Sequence, residues 1–155
     1  MEIGEKINVL YVDDELNNIN SFRATFRKDY NVFTALSGIV GLEILKEHTI
    51  HIIITDQRMP DMTGVEFLVE VLKEYSDPVR ILLTGYTDIN AVIDAVNKGH
   101  IYYYLNKPWD EQQLRIIIKN GYEIFRLREE NKSLIEKLMT ANDQLEFLLT
   151  QKLIS

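Results

Sequence analysis

Carboxylate, hydroxyl and ammonium groups follow four short apolar runs of the sequence. Asp13 and Asp14 come directly after the first run, Asp56 after the third, Thr84 after the fourth, and Lys107 just past the fifth. If these runs are parallel strands, their carboxyl ends meet at one edge of a sheet, which is where ligands bind in open α/β folds. The sequence therefore predicts one polar site built from all five side chains.

The three carboxylates predict a site for a divalent metal ion. Negative groups that lie close together repel one another unless a cation neutralises them, and hard oxygen ligands suit Mg²⁺ better than zinc or copper. Such a cation would let a phosphoryl group approach an acidic pocket. Asp56, at the tip of the central strand, is then the candidate nucleophile for an acyl phosphate, with Lys107 supplying positive charge and Thr84 a hydrogen bond. Each residue alone could be an ordinary turn or cap residue, so the prediction depends on their coincidence.

The elements that must position these residues alternate along the chain. Short runs rich in Val, Ile and Tyr predict strands at Ile7–Val12, Asn31–Ala35, Ile50–Thr55, Val79–Leu83 and Ile101–Leu105. Helical spacing predicts helices at Leu16–Lys28, Ser37–His48, Gly64–Tyr75, Thr87–Lys98 and from Asp110 to near the end. Thr63 with Glu66, and Asp110 with Gln113, have the spacing of helix caps. This alternation requires a parallel sheet covered by helices on both faces.

Composition narrows the class of protein. The chain has 155 residues, of which 46% are hydrophobic and 26% charged, as expected of one globular domain of ordinary size or of a slightly smaller one with an extension. The absence of cysteine excludes disulfides and thiolate metal sites and fits a reducing cytoplasm. The net charge of -7 disfavours nucleic acid and anionic membranes as partners. With neither a signal peptide pattern nor an apolar run of about 20 residues, a cytoplasmic protein with protein partners is expected.

Four motifs resemble those of a known family, the receiver domain of two-component response regulators. The motifs are VDDE at Val12–Glu15, TDQRMPDMTG at Thr55–Gly64, LLTGY at Leu82–Tyr86 and YLNKPW at Tyr104–Trp109. The resemblance covers residues 5–125 and implies a (βα)5 flavodoxin-like fold, a doubly wound parallel α/β sheet with strand order 2-1-3-4-5. Residues 126–155 are then a helical extension.

The resemblance also assigns roles to the site residues. Asp56 is the implied phosphoacceptor, and its phosphoryl donor would be a sensor histidine kinase or a phosphotransfer protein. Mg²⁺ would be bound by Asp14, Asp56 and the backbone carbonyl of Arg58, with Asp13 reaching it through water. Gly64 is expected to permit close approach of the chain beside Asp56.

A switch is implied as well, in which the Thr84 hydroxyl turns toward the phosphoryl group and the Tyr104 ring moves inward. Tyr102, Tyr103 and Tyr104 alternate faces of a strand, however, and could all be packing residues. Arg58 and Tyr86 would flank the phosphoryl group, and their bulk would then prolong its lifetime. Both side chains could instead point to solvent.

The predicted last helix has no Gly or Pro after Gly121 and is long enough to need a packing partner. A heptad starting at Ile117 places these residues at the a and d positions: Ile124, Leu127, Asn131, Leu134, Leu138, Ala141, Leu145 and Leu148. Glu123 at g and Arg128 at e suit a parallel pair of helices. A homodimeric coiled coil is therefore predicted, with a helix folded back on its own receiver as the alternative.

This regulatory phosphoacceptor is expected not to be an enzyme, apart from slow self-dephosphorylation. Two hypotheses for its output remain open. The chain could be an interaction module whose pairing, or a docking face, changes on phosphorylation. It could also be the regulatory front end of a longer enzyme or transcription factor, which the abrupt end at Ser155 favours. Residues 126–155 carry five basic and five acidic residues, so no DNA-reading face is expected. A degenerate receiver is disfavoured because every expected pocket residue is present.

Overall fold

Five parallel strands form the centre of the molecule in the computed structural model, which describes residues 6–85 and 89–154. The strands are β1 (Asn8–Val12), β2 (Asn31–Ala35), β3 (Ile52–Asp56), β4 (Val79–Thr84) and β5 (Tyr103–Asn106). The helices are α1 (Leu16–Phe26), α2 (Gly38–Glu47), α3 (Gly64–Glu74), α4 (Ile89–Asn97) and α5 (Glu111–Ile154). The strand order is β2-β1-β3-β4-β5, which confirms the predicted flavodoxin-like fold.

The core consists of two apolar layers, one on each face of the sheet. Val9 and Tyr11 of β1 face the layer that contains α1 and α5, whereas Leu10 and Val12 face the layer that contains α2, α3 and α4. Side chains alternate between the faces of a strand, so a strand covered on both faces must be apolar throughout. The strands of the sequence are near-continuous apolar runs because both faces of the sheet are covered.

Element boundaries differ from the predicted ones by one or two residues at most ends, and the predicted start of the fourth helix at Thr87 lies outside the described residues. β5 begins at Tyr103 instead of Ile101, although Ile101 is itself buried. The capping box before α3 is present, since the Thr63 hydroxyl accepts from the Glu66 amide and the Glu66 carboxylate accepts from the Thr63 amide. Asp110 caps α5 by accepting from the Gln113 amide at 2.9 Å. Local capping signals therefore marked both helix starts correctly.

Helix α5 has 44 residues, and only its first part belongs to the domain core. Its buried residues are Leu114, Ile117, Ile118 and Gly121, with Ile124 and Phe125 partly buried against the same layer. Residues 126–154 are exposed. Two positions that the heptad assigned to a coiled coil, those of Ile117 and Ile124, are therefore used by the domain itself. An exposed seam begins only at Leu127.

Contacts at the amino-terminal ends of β3 and β4 hold α5 where it leaves the domain. The His51 ring lies edge-on to Tyr122 and Phe125, with ring centroids 5.3 and 4.8 Å apart. About two helical turns beyond Phe125, the last core contact, Lys132 forms an ion pair with Asp77, which lies in the loop before β4. The helix does not fold back on the domain, contrary to the alternative considered for it. Within the described ranges, no helix combines the length and apolar character needed to cross a membrane.

One buried charge was not foreseen from the sequence. Arg80 lies in β4, is 7% exposed, and donates hydrogen bonds to backbone oxygens of Ser76, Pro78, Gly99 and His100. Burial lowers the pKa of its guanidinium. These bonds offset the loss of hydration, because a buried polar group is tolerated when its donors are satisfied. Arg80 thereby joins the loop before β4 to the end of α4.

Gly64 provides a test of close packing beneath the predicted site. A Cβ at this position would collide with the backbone oxygen of Asp56 and lie 2.8 Å from Cδ1 of Leu82. We expect Gly64→Ala to lower the free energy of unfolding by about 1–3 kcal/mol in urea denaturation, as overpacking does. Without the collision, alanine in a helix would raise it. Gly85→Ala is the control, because a Cβ there meets no atom of the described residues within 4 Å; equal effects of the two changes would contradict this account.

Candidate functional site

The three predicted carboxylates meet at the carboxyl edge of the sheet. Asp13 follows β1, Asp56 is the last residue of β3, and these two strands are adjacent and parallel. One carboxylate oxygen from each of Asp13, Asp14 and Asp56 lies within 4.8 Å of the other two. Asp13 and Asp56 are buried and Asp14 is exposed. An all-oxygen cluster that is open to water on one side fits a hard divalent cation such as Mg²⁺.

Lys107 supplies the positive charge expected beside Asp56. Its Nζ lies 2.9 Å from Oδ1 of Asp56, and its backbone amide donates to the oxygen of Thr84 at the end of β4. Burial raises the pKa of the Asp56 carboxyl; the Lys107 ammonium opposes this rise, while the negative charge of Asp13 adds to it. The ion pair therefore offsets only part of the unfavourable free energy of a buried carboxylate.

Asp13 is held by three hydrogen-bond donors. The Tyr11 hydroxyl and the Asn18 side-chain amide both donate to Oδ2 at 3.1 Å, and the Glu15 backbone amide donates to Oδ1 at 2.9 Å. Sequence reasoning missed Tyr11 and Asn18. For Tyr11 a signal existed, because residues two apart on a strand share a face. Burial raises the pKa of the Tyr11 hydroxyl, and the nearby charge of Asp13 raises it further.

The loop after Asp56 is fixed by Gln57, another residue that sequence reasoning missed. Gln57 is buried, and its backbone amide donates to the oxygen of Leu83 in β4. Its side-chain oxygen accepts from the Val65 amide at 2.9 Å, and its backbone oxygen accepts from the Gly64 amide. The start of α3 is thereby bound to the end of β3. A glutamine in a polar loop carries no local signal of such contacts.

The two switch residues lie in different environments. Thr84 is buried at the end of β4, and its hydroxyl donates to the oxygen of Gly85 at 3.0 Å. Tyr104 is 38% exposed and its ring stacks on that of Tyr103, which is also exposed. Of the three consecutive tyrosines, only Tyr102 packs against the core. Tyr104 is thus at the surface in this structure, and the possibility that all three are packing residues is wrong.

The two residues predicted to flank a phosphoryl group are Arg58 and Tyr86. Arg58 is exposed, two residues beyond Asp56. Tyr86 lies outside the described residues. Their effect on the lifetime of a phosphoryl group stays a prediction, as does the role of the Arg58 carbonyl.

The arrangement suits one kind of chemistry. The Asp56 carboxylate lies between the Lys107 ammonium and the carboxylates of Asp13 and Asp14, a cluster whose oxygens fit a divalent cation, so positive charge would be available on both sides of an incoming phosphoryl group. An acidic site at the carboxyl ends of five parallel strands in this order defines a receiver domain. Residues 9–119 match the family model of the response regulator receiver domain, and the chain belongs to that family.

Relatives and solved structures agree with this assignment. The hydrogenase transcriptional regulatory protein HoxA of Cupriavidus necator is 35% identical over 151 residues, which are 97% of this chain and 31% of that protein. A response regulator receiver domain protein from Clostridium thermocellum has 33% identity and a TM-score of 0.74, covering 78% of this chain and 98% of that chain. The chain thus spans less than a third of the length of curated relatives such as HoxA.

A structure described as adenylate cyclase from Rhodopirellula baltica has 28% identity and a TM-score of 0.82. The match covers 86% of this chain and 99% of the chain from Rhodopirellula baltica. The same fold therefore occurs in proteins whose descriptions differ.

Burial and carboxylate repulsion predict that Asp56→Asn stabilises the metal-free protein. Burial and the charge of Asp13 together outweigh the Lys107 ammonium, since the pKa of Asp56 is raised. Unit charges about 5 Å apart repel by roughly 3 kcal/mol at an effective dielectric constant of about 20, and the loss of the Lys107 ion pair offsets part of the gain, so we expect the free energy of unfolding in EDTA at pH 7 to rise by about 1–3 kcal/mol. Because the folded-state pKa of Asp56 is raised, the gain should vanish below the ordinary value of 3.8, grow as the pH rises, and level off above the folded-state pKa.

Urea denaturation over a pH series measures this effect. Asp61→Asn is the control, since Asp61 is exposed in the loop after β3 and asparagine tolerates its φ of 69°. A lower or unchanged free energy of unfolding for Asp56→Asn at pH 7 would show that repulsion does not dominate the site.

Proposed function

We propose that this receiver is a phosphorylation-dependent switch in a two-component phosphorelay, with Asp56 as the residue that accepts the phosphoryl group. The supporting observation is the position of the Asp56 carboxylate, 2.9 Å from the Lys107 ammonium and beside Asp13 and Asp14. The donor is a phosphohistidine of a sensor histidine kinase or a phosphotransfer protein. The protein acts as a regulator in the cytoplasm and not as an enzyme, apart from slow loss of its own phosphoryl group.

In the transfer step, a carboxylate oxygen of Asp56 forms a bond to phosphorus while the bond from phosphorus to the histidine nitrogen breaks. Lys107 balances part of the negative charge that accumulates on the phosphoryl oxygens. Asp14, Asp56 and the backbone carbonyl of Arg58 would hold Mg²⁺, with Asp13 reaching it through water, and its charge would offset that of the transferring oxygens. The acidic cluster thus serves as the cation site that lets an anion approach a carboxylate.

The response begins at Thr84 and Tyr104. An aspartyl phosphate adds negative charge and acceptor oxygens at the end of β3, beside the end of β4 where Thr84 lies. The Thr84 hydroxyl exchanges its bond to the Gly85 oxygen for a phosphoryl oxygen, and Tyr104 moves from the surface toward the space behind it. Phosphorylation shifts this equilibrium by the difference in its contacts with the two states, and no further.

The output passes through residues 127–154 of α5, which form a parallel coiled coil between two copies of the chain. The exposed a and d side chains that support this are Leu127, Leu134, Leu138, Leu145 and Leu148. Leucine side chains exposed along one face of a lone helix gain little from the helix itself, so pairing supplies the burial that they lack. Asn131 at an a position would fix the register of the pair.

A second function is favoured by the match to HoxA. The similarity to that transcriptional regulatory protein extends over 97% of this chain, tail included, yet covers only 31% of that protein. On this alternative the receiver and its helix are the regulatory front end of a longer transcription factor or enzyme, and α5 carries the signal to the part that follows.

Incubation with acetyl phosphate and Mg²⁺, followed by intact mass spectrometry, tests the acceptor. The wild-type chain should gain one phosphoryl group and Asp56→Asn none, because an amide cannot form the acyl phosphate. Asp61→Asn should be modified as the wild type is. A phosphoryl group on Asp56→Asn would overturn the site assignment, and an unmodified wild type would overturn the function.

Sedimentation at several concentrations, with and without acetyl phosphate, tests the coiled coil. Leu134→Asp and Leu138→Asp should each weaken the dimer by roughly 3–5 kcal/mol, because each leaves an uncompensated charge in the seam. Thr140→Asp, on the opposite side of the helix, is the matched control and should leave the dimer intact. A chain that stays monomeric throughout, or a dimer indifferent to both leucine changes, would reject the proposed pairing.

A further inference from the structure

Tyr11 is a hydroxyl-bearing residue in the middle of an apolar strand, and its hydroxyl contacts the site from the core side. It is completely buried, and the hydroxyl donates to Oδ2 of Asp13 at 3.1 Å. A buried hydroxyl without a partner would be unfavourable, so this bond is the reason that the strand tolerates tyrosine at a position where an aliphatic residue would fill the sheet. Packing explains the ring but not the hydroxyl.

The Tyr11 ring has little freedom to move. It stacks on Phe22 of α1 with ring centroids 4.3 Å apart and an interplanar angle of 10°. The Trp109 side chain packs edge-on against Phe22, with ring centroids 6.0 Å apart. A stacked ring on a central strand holds its hydroxyl at a fixed point beneath Asp13.

Asp13, by contrast, has a carboxylate whose terminal torsion is soft, because rotation about an sp³–sp² bond is broad. Its two oxygens offer about four acceptor sites. Tyr11 and Asn18 occupy sites on Oδ2, and the Glu15 amide occupies one on Oδ1. These donors fix the plane of the Asp13 carboxylate. The remaining acceptor capacity of Oδ1 is left for a cation bound by the acidic cluster.

We infer that Tyr11 is a positioning residue for the divalent cation: its hydroxyl orients the Asp13 carboxylate, so that the cluster is arranged for the cation before the cation binds. This inference rests on the proposed function, because it presupposes that the cluster binds Mg²⁺. Groups that orient metal ligands from behind commonly change metal affinity by 10- to 100-fold when removed. In this role Tyr11 acts through Asp13, the residue to which its hydroxyl donates.

The test is the dissociation constant of Mg²⁺ for the full chain with Tyr11→Phe, which keeps the ring and removes the hydroxyl. Titration can follow the fluorescence of Trp109, the one tryptophan of the sequence. Because the substitution alters the surroundings of Trp109, the rise in unfolding temperature with Mg²⁺ concentration provides a second measure of the same constant. We expect Tyr11→Phe to raise the dissociation constant roughly tenfold.

Two controls separate positioning from general damage to the core. Tyr122→Phe removes a hydroxyl from a ring that packs against the same layer at the other end of the sheet, and should leave Mg²⁺ affinity unchanged. Phe26→Leu disturbs the same aromatic cluster and should lower the unfolding temperature in EDTA without altering Mg²⁺ affinity, since Phe26 contacts Phe22 and Trp109 and supplies none of the three hydrogen bonds to Asp13 described above.

The outcomes are distinguishable. If the wild-type chain does not bind Mg²⁺ at millimolar concentrations, the proposed function fails. If it binds Mg²⁺ and Tyr11→Phe binds it equally well, the function stands and the inference about Tyr11 is wrong. If Phe26→Leu weakens Mg²⁺ binding as much as Tyr11→Phe does, the effect belongs to core packing, and the positioning role is again rejected.

Discussion

Mutual repulsion among three carboxylates is the constraint on which the rest of this structure depends. β1 and β3 are adjacent and parallel, so their carboxyl ends bring Asp13, Asp14 and Asp56 within a few ångströms of one another. Burial raises the free energy of such a cluster further, as the raised pKa of Asp56 indicates. The cluster persists because the surrounding sheet, with both faces covered, is stable enough to hold it. A stable scaffold that carries a strained, charged site is a common arrangement at functional sites.

Several features around the cluster compensate for this repulsion. Lys107 places an ammonium against Asp56, and Asp13 receives three hydrogen bonds. Gln57 ties the chain after Asp56 to the start of α3, where Gly64 leaves space for the Asp56 backbone. Each contact removes freedom from a charged group or from the backbone that carries it. A divalent cation would complete the compensation, and for this reason cation affinity should respond to changes in the supporting residues as well as in the carboxylates.

Helix α5 joins the two parts of the molecule. It begins four residues after Lys107, packs on β3 and β4 through Gly121, and extends beyond the domain as an exposed apolar seam. The Asp77–Lys132 ion pair holds the direction in which it leaves. Ile117 and Ile124 show why a heptad pattern alone overestimated the coiled coil. The same helix face packs on the domain first and is exposed only from Leu127. One repeat of apolar residues therefore runs through two environments, the domain core and the exposed part of the helix.

The sequence by itself determined the elements, most of their boundaries and the five polar residues at the strand ends. Apolar runs, helical spacing and capping residues are local signals, and parallel strands place their carboxyl ends at one edge wherever they occur. The strand order came from the family resemblance, since periodicity does not specify it. Only the tertiary structure decided that Tyr11 supports Asp13, that Gln57 fixes the neighbouring loop, that Arg80 donates to the backbone oxygens of Gly99 and His100, and that Tyr104 lies at the surface. These contacts arise from the packing of elements on one another, which no short stretch of the sequence encodes.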